Sequence, residues 1–320
     1  MQMKIKKTVV LFLAALFLVL GLSGCGGEKE ASGKLKIVTT IFPVYDWTKN
    51  IVGNQNAEIT LLVDGTVDLH SFSPTAADIR RISLCDVFIY IGGESDAWVT
   101  DAVRQAENGE MIVINLIEAL GDAAKIEEEI EGAGHEEDAE GEAFDEHIWL
   151  SLKNAKILVN HIAAKIAEAD AENAQIYADN AGEYISEIDA LESRYLQTIN
   201  SATRKTLIFA DRFPFRYLAD DYELTCYAAF PGCSAETEAS AKTIAFLAEK
   251  ADLTEVPCLI VIDGSSTKIA ETVNAESKNK NRQIFVLSSL QSLTKKEREA
   301  GTSYLSVMEK NLEVLKKALN

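Results

Sequence analysis

Two histidines stand in non-helical stretches beside acids. His70 lies in Val67-Asp68-Leu69-His70-Ser71-Phe72-Ser73-Pro74, and His147 in Phe144-Asp145-Glu146-His147-Ile148-Trp149-Leu150. The chain has only four histidines, so two in such settings ask for a chemical reason. Neutral imidazole is the commonest protein ligand for zinc and similar metals. If the two rings converge, they supply half of a four-coordinate zinc site. Asp145 and Glu146 read as hydrogen-bond partners that orient the imidazole rather than as direct ligands. The other two histidines read differently. His135 sits in an acidic, glycine-bearing stretch and is a candidate for transient metal contact. His161, between Asn160 and Ile162, reads as a surface or half-buried helix residue.

Positioning these residues falls to an alternation of short apolar runs and amphipathic stretches. Leu35–Thr39, Ala57–Val63, Val87–Ile91 and Met111–Leu116 read as strands, with helices over Val44–Val52 and from Pro74. Continuous apolar runs of this length fit strands buried on both faces of a parallel sheet. The pattern resumes late in the chain. Strands are expected at Thr206–Phe209, Leu224–Ala228, Cys258–Ile262 and Gln283–Leu287. Helices are expected at Phe215–Asp221, Glu236–Lys250, Thr267–Asn274 and Ser303–Leu319. Between the halves, Ser151–Glu168 and Ala171–Asn200 carry helical periodicity. In the second stretch Ile176, Asn180, Tyr184, Ile188, Leu191, Tyr195 and Ile199 recur at threes and fours. The reading is an α/β fold of two similar lobes, each a parallel-type sheet flanked by helices, joined by one long helix. The expected segments are 35–170 for the first lobe, 171–202 for the linking helix and 203–320 for the second lobe.

The amino terminus bears on compartment. Lys4, Lys6 and Lys7 precede an apolar stretch from Thr8 to Leu20, and Leu22-Ser23-Gly24-Cys25 follows. The run has the length of a signal h-region and is short for a membrane span. The four residues resemble the lipobox of bacterial lipoproteins. That resemblance implies a signal over 1–24, a lipid on Cys25 and a tether over 25–34. Loss of the three lysines would take the net charge of −19 to about −22. So acidic a chain is a poor partner for nucleic acid, whose phosphates need a basic face. Cys85 and Cys258 adjoin apolar runs and read as core. Cys226 and Cys233 flank Pro231-Gly232, and an exported location permits a disulfide between them; two free thiols are the other reading.

Taken together, these segments resemble the substrate-binding lipoproteins of bacterial zinc and manganese ABC importers, over essentially all of the mature chain. Val67–Thr75 is similar to the family's Asp-Pro-His-x-Tyr-Glu-Pro-Thr segment, and Asp145–Ser151 to its Asp-Pro-His-x-Trp-Leu-Ser segment. Gly92–Trp98 is similar to its Gly-Gly-x-Glu-x-Trp turn, Glu236–Ser240 to its Glu-Pro-Ser helix start, and Tyr304–Leu312 to its last helix. The resemblance implies His70 and His147 as the first two metal ligands. It further implies capture of a divalent ion, zinc with manganese or another metal as alternatives, by a monomer. The ion would pass to an ABC permease, with the membrane reached through the lipid and no catalysis.

The second lobe departs from that pattern. Arg212 occupies the place of the third family ligand, and arginine stays protonated and cannot ligate. Ser288 falls where the fourth, an aspartate, is expected. Asp211, one residue before Arg212, could complete a site of His70, His147, Asp211 and water. It could equally be a partner of Arg212 or Arg216. Alternatively the ligand is a metal chelate whose carboxylate Arg212 grips. Two readings from other classes are a surface-attached zinc metallohydrolase and an adhesin with a vestigial site. Against the hydrolase, the chain has no His-Glu-x-x-His and no Gly-x-Ser-x-Gly.

Overall fold

Alternation along each strand decides the layering. In Leu35–Thr39 (β1), Ile37 faces one core cluster and Val38 another. In Val87–Tyr90 (β3), Val87 and Ile89 face the first cluster and Phe88 the second. Successive side chains of a strand point to opposite faces, so a strand apolar at every position is sandwiched between two helical layers. The expected α/β architecture follows. The computed structural model describes residues 33–55, 57–65, 69–127, 130–131, 143–232, 238–291 and 293–320. The signal segment with Cys25, His135 and Cys233 lie outside the described residues.

In the first lobe, Phe42–Val52 (α1) follows β1. Ala57–Leu61 (β2), Ala76–Ser83 (α2), β3, Val99–Arg104 (α3), Ile112–Asn115 (β4) and Leu116–Leu120 (α4) complete it. The sheet order is β2-β1-β3-β4, every pair parallel. Leu152–Ala169 (α5) and Ala174–Asn200 (α6) come next. The second lobe comprises Thr206–Phe213 (β5), Arg216–Asp221 (α7), Thr225–Pro231 (β6), Ala241–Leu253 (α8), Cys258–Ile262 (β7), Lys268–Glu276 (α9), Gln283–Leu287 (β8), Lys295–Glu299 (α10) and Tyr304–Ala318 (α11). Its order is β6-β5-β7-β8, again parallel. Parallel strands bind ligands beyond their carboxyl ends, and in each lobe those ends are joined to loops that carry the polar residues.

At 27 residues, α6 is about 40 Å long at 1.5 Å per residue. Its buried face is Tyr177, Ala181, Tyr184, Ile188, Leu191, Tyr195 and Ile199. The first turn is rotated from the sequence expectation. Ile176 is exposed and Tyr177 is buried, its hydroxyl donating to Asp170 Oδ2 before the helix begins. One core cluster runs from Ile37 in the first lobe to Leu319 at the end of the second, and Leu35–Asn320 forms one compact unit. The lobes therefore share this core, and each lobe adds an outer cluster of its own. Asp46 of α1 ties them further, its Oδ2 accepting from Tyr304 N at 3.0 Å and Tyr184 Oη at 3.3 Å.

Two boundaries move for local reasons. The helix expected from Glu236 begins at Ala241, because Ser240 caps it by accepting the N–H of Thr243. The strand expected to end near Phe209 continues as β5 to Phe213, with a register shift between Phe209 and Arg212. Asp211 thus lies inside an irregular strand, not at its end.

Candidate metal centre

His70 sits on the short turn of 3-10 helix Leu69–Ser71, reached from the end of β2 and anchored by buried Leu69. His147 precedes a second such turn, Ile148–Leu150, and is 1 % exposed. The two turns bring the rings together: Nε2 of His70 is 3.4 Å from Nε2 of His147, with ring centroids 5.4 Å apart. Two nitrogens bound to one tetrahedral zinc at about 2.0–2.1 Å stand roughly 3.3–3.4 Å apart. The pair is spaced for an ion between them.

Each ring is held by its other nitrogen. Oδ1 of Asp145 accepts both the backbone N–H of His147 at 2.8 Å and its Nδ1 at 2.9 Å. A carboxylate accepts only, so a neutral ring in this place carries its proton on Nδ1 and presents a lone pair at Nε2. Asp145 is itself pinned, since the Tyr217 hydroxyl from α7 donates to its carbonyl at 3.0 Å. Gly232, after β6, packs against the same ring. A Cβ there would meet Phe213 O at 2.9 Å and His147 Cε1 at 3.2 Å, so only glycine lets the second lobe come this close. Trp149 lies 5.3 Å from the ring and donates its indole N–H to Ser289 O at 2.8 Å. It packs and fastens. Trp98 packs on Phe72 and Phe88.

On the His70 side, Nδ1 is 2.7 Å from Ser95 Oγ and 3.5 Å from Glu146 Oε2. Glu146 is 2 % exposed, and burial pushes its carboxyl up from the usual range. Sequence reasoning assigned Glu146 to the ring of His147; it turns instead to His70. Ser95 and Gly93 had only their place in the Gly92–Trp98 turn, and Gly232 only its place in the Pro231-Gly232 pair; none was read as touching a histidine. A pocket of about 220 Å³ opens beside His70, lined by Glu94, Ser95, Glu127, Phe144 and Glu146 among others.

The expectation that Asp211 completes the site does not fit this geometry. Its Oδ1 accepts the N–H of Arg212 at 2.8 Å and its Oδ2 the N–H of Ile262 at 3.0 Å, and it is 6 % exposed. Burial raises its carboxyl, with those backbone N–H groups pulling the other way. The carboxylate stitches β5 to the end of β7 across the irregular register. Among the described residues, no cluster of three or more His, Cys, Asp or Glu is arranged to hold a metal. Ser288 turns its hydroxyl to the N–H of Leu290, and Asp263 accepts the N–H of Ser289. His161 lies on α5, where burial lowers its pKa.

The base of the acidic stretch is described, though most of its acids are not. Ile126 and Phe144 form an antiparallel bridge. Lys125 pairs with Asp220 at 2.7 Å, and Arg216 donates to Ile126 O at 2.6 Å. Ile130 packs on the main core. Cys226 carries a free thiol among the described residues, and its suggested partner Cys233 lies outside them.

Comparison with known proteins agrees with this architecture. Residues 37–318 match the family described as ZnuA, zinc-uptake complex component A, periplasmic. The zinc-binding lipoprotein AdcA of Streptococcus pneumoniae is 33% identical over 307 residues, which cover 95% of this chain and 59% of that protein. The chain thus spans about three-fifths of the length of that relative. The high-affinity zinc uptake system protein ZnuA of Bacillus subtilis is 33% identical over 311 residues, covering 96% of both chains. The zinc-bound ZnuA-like domain of S. pneumoniae AdcA superposes with a TM-score of 0.71 at 30% identity, over 90% of this chain and 99% of that one. The chain belongs to the ZnuA family of zinc-uptake components.

Proposed function

We propose that this chain is an extracytoplasmic receptor that captures zinc through His70 and His147 and hands it to an ABC permease. The observation that carries the reading is the 3.4 Å between the two Nε2 atoms, the spacing of two donors on one tetrahedral zinc. The likeness to zinc-binding relatives supports it. The remaining coordination positions are left to water, or to donors outside the described residues. Bound in this way, the ion is cargo, and nothing in the reading calls for catalysis. Irving–Williams affinities favour copper over zinc at such nitrogens, so selection of zinc would rest on geometry and supply. A lipid on Cys25 would hold the receptor at the outer face of the cell membrane.

Metal analysis of the purified protein, followed by titration of the metal-stripped form, tests this reading. Wild type is expected to bind one zinc tightly. His70→Ala and His147→Ala are each expected to lose tight binding with the fold intact by circular dichroism. Unchanged affinity in both single variants would exclude the site.

A further inference from the structure

Asp145 and Glu146 are consecutive, yet they serve different histidines. Asp145 holds the ring of His147. Glu146 turns away, and its Oε1 takes the N–H of Ser95 at 2.8 Å. Its Oε2 lies 3.5 Å from His70 Nδ1 and has no hydrogen-bond partner among the described residues. The side chain is 3 % exposed, and a buried carboxylate oxygen without a donor is costly. Gly93, at φ +84°, makes the room: a Cβ there would overlap the Glu146 carboxylate. The chain therefore accommodates an acid at this place at the expense of a backbone position that only glycine fills easily.

What the acid achieves follows from hydrogen-bond chemistry. Ser95 Oγ, 2.7 Å from His70 Nδ1, leaves the tautomer open, because a hydroxyl both donates and accepts. An ionised carboxylate oxygen only accepts. Beside Nδ1 it favours a proton there and leaves Nε2 bare, the state in which imidazole ligates. We propose that Glu146 is a positioning residue for zinc capture. Its Oε2 selects the Nδ1–H tautomer of His70, so that both Nε2 lone pairs face each other before the ion arrives. This deepens the zinc reading above and rests on it.

Two substitutions separate this role from a packing role. Glu146→Gln keeps the shape, and its amide oxygen can still accept from Ser95. The amide NH2 then stands against His70 Nδ1, which must accept, and the proton moves to Nε2, where it blocks the metal. Glu146→Ala removes that acceptor and keeps Ser95 beside Nδ1. On the full-length protein in detergent, Glu146→Gln is expected to weaken zinc binding about 10–100-fold. Glu146→Ala is expected to weaken it less, although it costs more stability to urea. A packing role predicts the opposite order. Nitrogen-15 NMR of the metal-free wild type needs neither variant nor zinc, and is expected to find His70 as Nδ1–H. A Gln variant that binds zinc as tightly as the Ala variant, or an Nε2–H tautomer in the wild type, overturns the proposal. If instead the wild type binds no zinc, the functional reading falls, while the NMR result still decides the tautomer.

Discussion

Asp145 allows the sharpest test of how His147 is prepared for a metal. One oxygen serves two donors, the backbone N–H at 2.8 Å and Nδ1 at 2.9 Å. The residue is 3 % exposed, so water does not screen or replace these bonds freely. A hydrogen bond to a charged group contributes about 1.5–3 kcal/mol. The backbone bond exists with or without metal and belongs to folding. On the zinc reading proposed above, the ring bond is linked to the metal, because it keeps the proton on Nδ1 and the Nε2 lone pair bare. Replacing the carboxylate by a neutral amide is therefore expected to forfeit about 1.4–2.7 kcal/mol of zinc binding, or ~10–100-fold in Kd. The amide oxygen of Asp145→Asn can still accept from both N–H groups, so its unfolding midpoint in urea is expected to change little. Asp145→Ala loses both bonds. Its zinc affinity is expected to fall at least as far, with a loss of about 2–4 kcal/mol in stability. Competition against a chelating fluorophore on metal-stripped protein measures the first quantity, and urea unfolding in a chelator the second. Zinc binding by Asp145→Ala within about threefold of wild type, less than 1 kcal/mol, would refute the argument that this carboxylate prepares the ring.

Three further outcomes are expected. Asp211→Asn removes one of two acceptors for buried backbone N–H groups, so it is expected to cost about 1–3 kcal/mol of stability and leave zinc Kd nearly unchanged; a large loss of zinc affinity with intact stability would return Asp211 to the donor set. Asp96 accepts from Ile91 N and Gly92 N, and burial raises its carboxyl from 3.8 to about 7. The folded state then binds this proton more tightly than the unfolded chain does. The group's stabilising contribution is present below pH 3.8 and is lost as pH rises through about 7. Asp96→Asn is expected to flatten that decline, read as unfolding midpoints at pH 5 and pH 8 that differ less than in wild type. Because Cys226 is free, alkylation of denatured protein without reductant is expected to label both Cys226 and Cys233, and a linked peptide pair would contradict it.

What the sequence determined about this protein is local and periodic. Apolar runs of four or five residues between amphipathic stretches made the parallel sheets, since a strand apolar on both faces has to lie between helical layers. Spacing at threes and fours made α6, and capping by Ser240 set where α8 begins. His70 and His147 were legible because each stands in a short segment of distinctive neighbours. Tertiary structure decided the rest, because the deciding contacts join residues far apart in the chain. Asp211 and Arg212 are adjacent, but the fate of Asp211 is set by the N–H of Ile262, brought alongside only when β5 pairs with β7. Asp145 and Glu146 are adjacent too, and they part company because Ser95 and Gly93 stand on one side and Tyr217 on the other. Propensity and periodicity describe a residue's own segment; which way a buried carboxylate turns depends on where a distant backbone N–H has been placed to receive it.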